Sequence, residues 1–238
     1  MTDVSVLGHD PLPAAVTAGR PGRPQSWVLS VPDCGDALGL DPEKVLDAAE
    51  RERAAGFYRA EDQQRYRAAH AGLRVLLGAY LDLDPAAVRF IREPCPGCGE
   101  PHGRPAVPGT PLHFNMSHAG DLVLFAFGDA PIGADVEKFQ SPETVAQVTA
   151  SLHARERAEL AGLPAADRPV AFARCWTRKE AYLKGLGTGL SRDPALDYVG
   201  TGPDPVPVGD WSLVDLSLDH VSPGYAAAYA ILGVTRTA

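Results

Sequence analysis

This chain has no apolar run near the roughly 20 residues of a membrane span, which argues against a membrane-crossing helix. It has no excess of basic residues either. Lys and Arg total 22 against 30 Asp and Glu, a formal net charge of -8. General nucleic-acid binding needs a basic footprint, and a basic membrane-surface protein needs a basic face, so neither is expected. Cysteine is scarce: Cys34, Cys95, Cys98 and Cys175 are too few and too scattered for a disulfide framework. A reducing cytoplasm is the natural expectation. The opening "MTDVSVLGHDPLPAAV" lacks a basic start followed by an apolar core, so no signal peptide is expected. There is no internal repeat and no long low-complexity tract.

What is present is ordinary for a globular protein. The 238 residues are 45% hydrophobic and 22% charged, enough to bury a core in one large domain or two small ones. Residues 1–25 read as a loose, Gly-, Pro- and Ala-rich lead-in. "SWVLSV" reads as a strand. Helix signals follow from Asp41, with Pro42 at the first helical position, and continue through "EDQQRYRAAHAGLRVLLGAYL". "AVRFIRE" is a short strand, and "LHFNMS" and "LVLFAFG" are strands around the polar "HAGD" turn. "PIGADVEKF" is apolar and strand-like. Residues 142–163 and "PVAFARCWTRKEAYLKGLG" read as helices, and "WSLVDLSL" and "YAAAYAILGV" as strands. Loose alternation with hairpin-like pairs favours an α+β fold over a strict doubly wound sheet.

Several stretches carry groups suited to chemistry. In "IGADVEKF", strand alternation points Asp135 and Glu137 the same way. Such a pair is ordinary on a solvated strand edge. In a partly buried segment the two charges repel, and a magnesium ion would relieve that. In "WTRKEAYLKGLGTGL", helical spacing puts Trp176, Glu180 and Lys184 on one face. Glu180 and Lys184 make either a plain surface ion pair or part of a site. "GLGTGL" follows a helix, whereas phosphate-cradling loops precede one. In "FNMSHAGD", Ser117 and His118 suit a phosphate-binding pair better than a nucleophile and base, because adjacent strand residues face opposite ways. Arg104 in "PHGRP", and Arg53 and Arg65 upstream, are either surface arginines or phosphate ligands.

Taken in order, "GRP…HFNMSHAGD", "IGADVEKF" and "FARCWTRKEAYLKGLGTGL" resemble the three signature blocks of the 4'-phosphopantetheinyl transferases. The likeness is to the larger monomeric type that activates peptide and polyketide synthases, and it covers roughly residues 50–192. The resemblance implies a pseudo-twofold pair of similar α+β halves with the active site in the cleft between them. We divide them as 1–130 and 131–238. It implies that the phosphopantetheine arm of coenzyme A passes to a serine of an apo acyl or peptidyl carrier protein, releasing adenosine 3',5'-bisphosphate. On that pattern Asp135, Glu137 and Glu180 are magnesium ligands. Glu180 or a metal-linked water helps deprotonate the serine, and Lys184 contacts the diphosphate. Lys179 lies near the arm, Ser117 and His118 hold coenzyme A phosphates, and Arg53 and Arg65 grip the 3'-phosphate. Arg104 stands where many members have lysine, and Glu156 resembles a further acidic residue of the site. A cytoplasmic monomer that binds neither membrane nor nucleic acid is implied.

Two alternatives remain at this level: a non-catalytic coenzyme A or carrier-binding module, and a different magnesium phosphotransferase. One motif falls outside the resemblance's chemistry. "CPGCGEPHG" spaces Cys95, Cys98 and His102 as C-x2-C-x3-H, which reads either as part of a zinc site lacking a local fourth ligand or as a structured turn with free thiols. The turn "GLGTGL", with Leu186 and Leu190, is a candidate carrier-docking surface.

Overall fold

A computed structural model describes residues 2–15, 23–39 and 41–233. Its elements in chain order are β1 (Thr2–Asp3), β2 (Ser5–Val6), β3 (Gln25–Ser30), α1 (Cys34–Leu38), α2 (Pro42–Val45), α3 (Ala48–Ala55) and α4 (Ala60–Leu81). There follow β4 (Ile91–Arg92), β5 (Pro105–Ala106), β6 (His113–Ala119), β7 (Leu122–Gly128) and β8 (Ile132–Lys138). The chain ends through α5 (Pro142–Val148), α6 (Ala154–Gly162), α7 (Arg168–Leu186), β9 (Trp211–Ser217) and β10 (Tyr225–Leu232). The fold is α+β. Among the described helices none is long and apolar enough to cross a membrane.

Two four-stranded sheets, ordered β2-β3-β7-β6 and β1-β9-β10-β8, carry the architecture. In each, a strand leads through a long helix to a second strand, and a third strand returns antiparallel between the two. β3-α4-β6-β7 does this in one sheet and β8-α7-β9-β10 in the other. Strand alternation then assigns faces. In β7, Val123, Phe125 and Phe127 pack with Leu73, Leu76 and Leu77 of α4, whereas Leu122, Leu124 and Ala126 meet the other sheet. In β8, Ile132, Ala134 and Val136 face that intersheet core. This leaves Gly133, Asp135 and Glu137 on the α7 side.

Residues 2–7 are not part of a loose lead-in, while residues 1 and 16–22 of that stretch lie outside the described residues. β1 pairs parallel with β9 and β2 parallel with β3, and Val4 and Leu7 are buried. A backbone hydrogen-bond ladder and two apolar anchors outweigh the local Gly and Pro content. The expected helix from Asp41 is broken at Leu46, because Asp47 restarts it with a reciprocal capping box to Glu50. The helix expected over 142–163 breaks likewise, with His153 and Glu156 forming the capping box of α6. The strand in "AVRFIRE" shrinks to exposed Ile91–Arg92.

Glycine decides how close β8 and α7 come. A Cβ on Gly133 would lie 2.0 Å from the Ala181 carbonyl oxygen and 2.2 Å from the Gly185 nitrogen. A Cβ on Gly185 would lie 2.4 Å from the Trp211 ring. Backbone therefore packs on backbone, and this brings the carboxylates of β8 up to Glu180 and Lys184. Gly133→Ala is expected to lose about 3 kcal/mol of stability through overpacking, read as a lower urea midpoint.

Candidate functional site

Three chain segments meet at Asp135. It is 2% exposed, on a strand whose alternation aims it at α7. The Lys184 ammonium donates to Asp135 Oδ1 at 2.6 Å and to Ser117 Oγ at 2.9 Å. The Ser117 hydroxyl in turn donates to Asp135 Oδ1 at 2.7 Å. β6 is held against β8 without a strand ladder: the Asn115 side-chain carbonyl accepts the Ala134 N–H at 3.2 Å. Asp135 Oδ2, by contrast, is buried and finds no hydrogen-bond partner among the described residues. An orphaned carboxylate oxygen at that depth is costly unless something positive completes it.

Glu137 and Glu180 surround the same point. Burial, helped by the Asp135 charge, pushes the Glu137 carboxyl up to about 7, even though Trp176 donates a hydrogen bond to it. Burial and the Asp135 charge also raise Glu180. Asp135 itself is raised by burial, against the pull of Lys184. The i, i+4, i+8 face of α7 is thus in use: Trp176 reaches Glu137, Glu180 feels Asp135, and Lys184 pairs with it. This is an all-oxygen donor set short of positive charge, as a hard dication requires. The three carboxylates are not gathered as tightly as a preformed cage, and Lys184 is the cation that Asp135 now holds.

The electrostatic conflict has a measurable consequence. A carboxyl whose folded pKa is raised favours folding in its protonated form. Its contribution is therefore full below the ordinary value of 4.5 and is lost as pH rises towards 7. In metal-free buffer, Glu137→Gln is expected to match the parent near pH 4. Above pH 7 it should be more stable by about 1 kcal/mol, allowing for the partial exposure of Glu137. Thermal unfolding in chelator at the two pH values reads this directly.

The family model described as "4'-phosphopantetheinyl transferase superfamily" matches residues 131–230, which include β8 and α7. The 4'-phosphopantetheinyl transferase HetI of a Nostoc species is 31% identical over 198 residues, 81% of each chain. The chain belongs to the 4'-phosphopantetheinyl transferase superfamily. The 4'-phosphopantetheinyl transferase Sfp of Bacillus subtilis is 30% identical over 153 residues, 64% of this chain and 62% of that one. AcpT of Salmonella typhi is 35% identical over 130 residues, 51% of this chain and 64% of its own.

Not every residue expected at a phosphopantetheinyl transferase site is brought to Asp135. Lys179 is 1% exposed and turned into the core, where it pairs with Glu156 at 2.8 Å and donates to the carbonyls of Pro194 and Asp197. Glu156 is fully buried, accepts the N–H of His153 and of Val199, and closes the α6 capping box. Lys179 and Glu156, expected at the arm and at the reaction centre, are instead committed to each other and to backbone groups. Ser117 and His118 face opposite ways, as adjacent strand residues must. Ser117 faces Lys184, whereas His118 lines an open cavity of about 390 Å³ with Arg53, Tyr66, His70, Arg92 and Met116. Arg65 is tied to the Gly120 carbonyl at 2.6 Å and to Asp62. Arg104 pairs with Glu93 and donates to the Gly185 carbonyl at 2.7 Å, beside the end of α7.

Sequence reasoning missed the cavity's Arg92, His70 and Met116. His70 follows Tyr66 by four residues on α4 and stacks on it at 4.0 Å between ring centres, so helical spacing was a usable signal. Arg92 had none, since it comes from a two-residue strand.

Proposed function

We infer that this chain transfers the 4'-phosphopantetheine arm of coenzyme A to a serine hydroxyl of an apo carrier protein, acting as a cytoplasmic monomer with magnesium. The observation that carries the reading is buried Asp135, one oxygen on Lys184 and Ser117 and the other unpartnered, faced by two carboxylates whose pKa values are raised. Asp135, Glu137 and Glu180 would hold the magnesium ion, which when bound supplies charge neutralisation at the diphosphate. The serine oxygen bonds to the phosphorus as the bridging P–O bond breaks, and adenosine 3',5'-bisphosphate leaves. Lys184 turns its ammonium to the leaving phosphate oxygens. Glu180 or a metal-linked water takes the serine proton.

The open cavity suits the nucleotide end of coenzyme A. Arg53, Arg92, His70 and His118 offer it cationic and hydrogen-bonding groups, and Tyr66 a stacking face. Arg65 and Arg104 stand outside that lining, tied to the Gly120 and Gly185 carbonyls. The repeated strand-helix-strand-strand threading supports two pseudo-twofold halves dividing near residue 130, with β1 crossing from the first into the second sheet. Ser117 and Asp135 then face each other across the division. Acidic carriers are not drawn by this chain's net charge of -8, so docking rests on apolar contacts. Exposed Leu190 suits that role, while Leu186 packs on the core. We assign the carriers to peptide and polyketide synthases.

The test is direct. Coenzyme A and a panel of apo carriers are incubated with the protein in magnesium or in chelator, and the carriers are weighed by mass spectrometry. A mass gain of one phosphopantetheine, in magnesium only, is expected. No gain on any carrier, or a gain indifferent to chelator, overturns the reading.

A further inference from the structure

We propose that Cys95, Cys98 and His102 bind a zinc ion, at a place separate from the carboxylates of Asp135, Glu137 and Glu180. The three side chains offer one ligand atom each, and these atoms all lie within 4.8 Å of one another. Among the described residues this is the one group of three His, Cys, Asp or Glu so gathered. Cys98 Sγ and His102 Nε2 are 3.0 Å apart. Zinc bonds of about 2.0–2.3 Å in a tetrahedron hold neighbouring ligand atoms about 3.3–3.8 Å apart. Only a few tenths of an ångström of opening separates that contact from coordination.

The backbone prepares the thiols. The Cys95 N–H donates to the Glu100 carbonyl and the Gly99 N–H to the Cys95 carbonyl, both at 2.8 Å, which closes a tight turn. Gly99 takes φ +80°, which an L side chain rarely adopts. In this turn the N–H groups of Gly97 and Cys98 lie beside Cys95 Sγ. Thiolate, not thiol, is the metal ligand. Two thiolates cancel the charge of a dication, and the sulfur and imidazole donors select zinc over the magnesium that suits the carboxylates. Cys98 and His102 are exposed, so an ion can enter and a water completes the tetrahedron.

The site would pin a loop that touches the catalytic helix. The Gly103 N–H donates to the Glu93 carbonyl and the Glu93 N–H to the Arg104 carbonyl, closing the hairpin base. A Cβ on Gly187, the C-cap of α7, would meet Arg104 Cγ at 3.3 Å and Pro96 Cδ at 3.6 Å. Zinc at the hairpin tip thus steadies the wall beside Lys184 without touching the carboxylates.

The experiment uses the whole chain, purified in reductant. Elemental analysis is expected to give about one zinc per chain. After zinc removal, one equivalent of Co2+ should give near-ultraviolet thiolate charge-transfer bands and the intense visible bands of tetrahedral cobalt. Cys98→Ser and His102→Ala, both at exposed positions, should each lose most of that signal and keep the far-ultraviolet dichroism of the parent. The proposal is overturned if fully reduced protein takes up neither zinc nor Co2+. It is also overturned if both variants bind Co2+ as the parent does, or if Cys95 and Cys98 are found only as a disulfide.

Discussion

Asp135→Asn is expected to slow phosphopantetheine transfer by about a hundred- to a thousand-fold, the loss typical of removing one preorganised electrostatic group. The substitution keeps the volume and lets the side-chain carbonyl still accept from Ser117. It removes the charge that holds Lys184 at 2.6 Å and the oxygen that has no partner. The loss should fall mainly on kcat, because the nucleotide end is assigned to the cavity of Arg53 and His118, away from Asp135. Stability should change little: a carboxyl that burial already raises gives up little folding energy when made neutral. The time course of carrier mass gain, alongside a urea titration, separates the two quantities. Transfer at the parent rate would remove Asp135 from the chemistry.

Lys179→Met is expected to do the reverse, costing about 3–5 kcal/mol of stability by leaving Glu156 charged and unpaired in the core. The carbonyls of Pro194 and Asp197 also lose their donor. Pairing the change with Glu156→Gln should recover part of the loss. Recovery is incomplete because those carbonyls stay unmatched, and because Gln has one acceptor oxygen where Glu156 uses two, Oε2 for the His153 N–H and Oε1 for the Val199 N–H. Activity per folded molecule, measured well below the unfolding temperature, should stay within a few-fold of the parent. A lysine that contacted coenzyme A would give the opposite result, with stability held and transfer lost.

The contrast between Lys179 and Lys184 shows where sequence legibility stopped. Both lie in "WTRKEAYLK", and both match the family pattern. Lys179 precedes Glu180 by one residue, about 100° around the helix. That rotation carries it off the face shared by Trp176, Glu180 and Lys184 and into the core. The capping-box role of Glu156 was hidden for a similar reason. Its role as the third residue of a capping box depends on a helix break at His153 that the 142–163 pattern did not show. The strands at Thr2–Asp3 and Ser5–Val6 were hidden because pairing with β9 and β3 is non-local.

The sequence by itself determined the α+β class and the chemistry of the faces. A period of two aligned Asp135 with Glu137, and a period of 3.6 aligned Trp176 with Lys184. The three motifs, in order, pointed to the transferase family. Only the tertiary structure decided which faces meet. Periodicity says which side chains look the same way along one element, and nothing about what stands opposite. That was settled by bare backbone at Gly133 and Gly185, which lets β8 and α7 close to a distance any side chain would forbid. It was settled also by two sheets packing so that Ser117 of one faces Asp135 of the other.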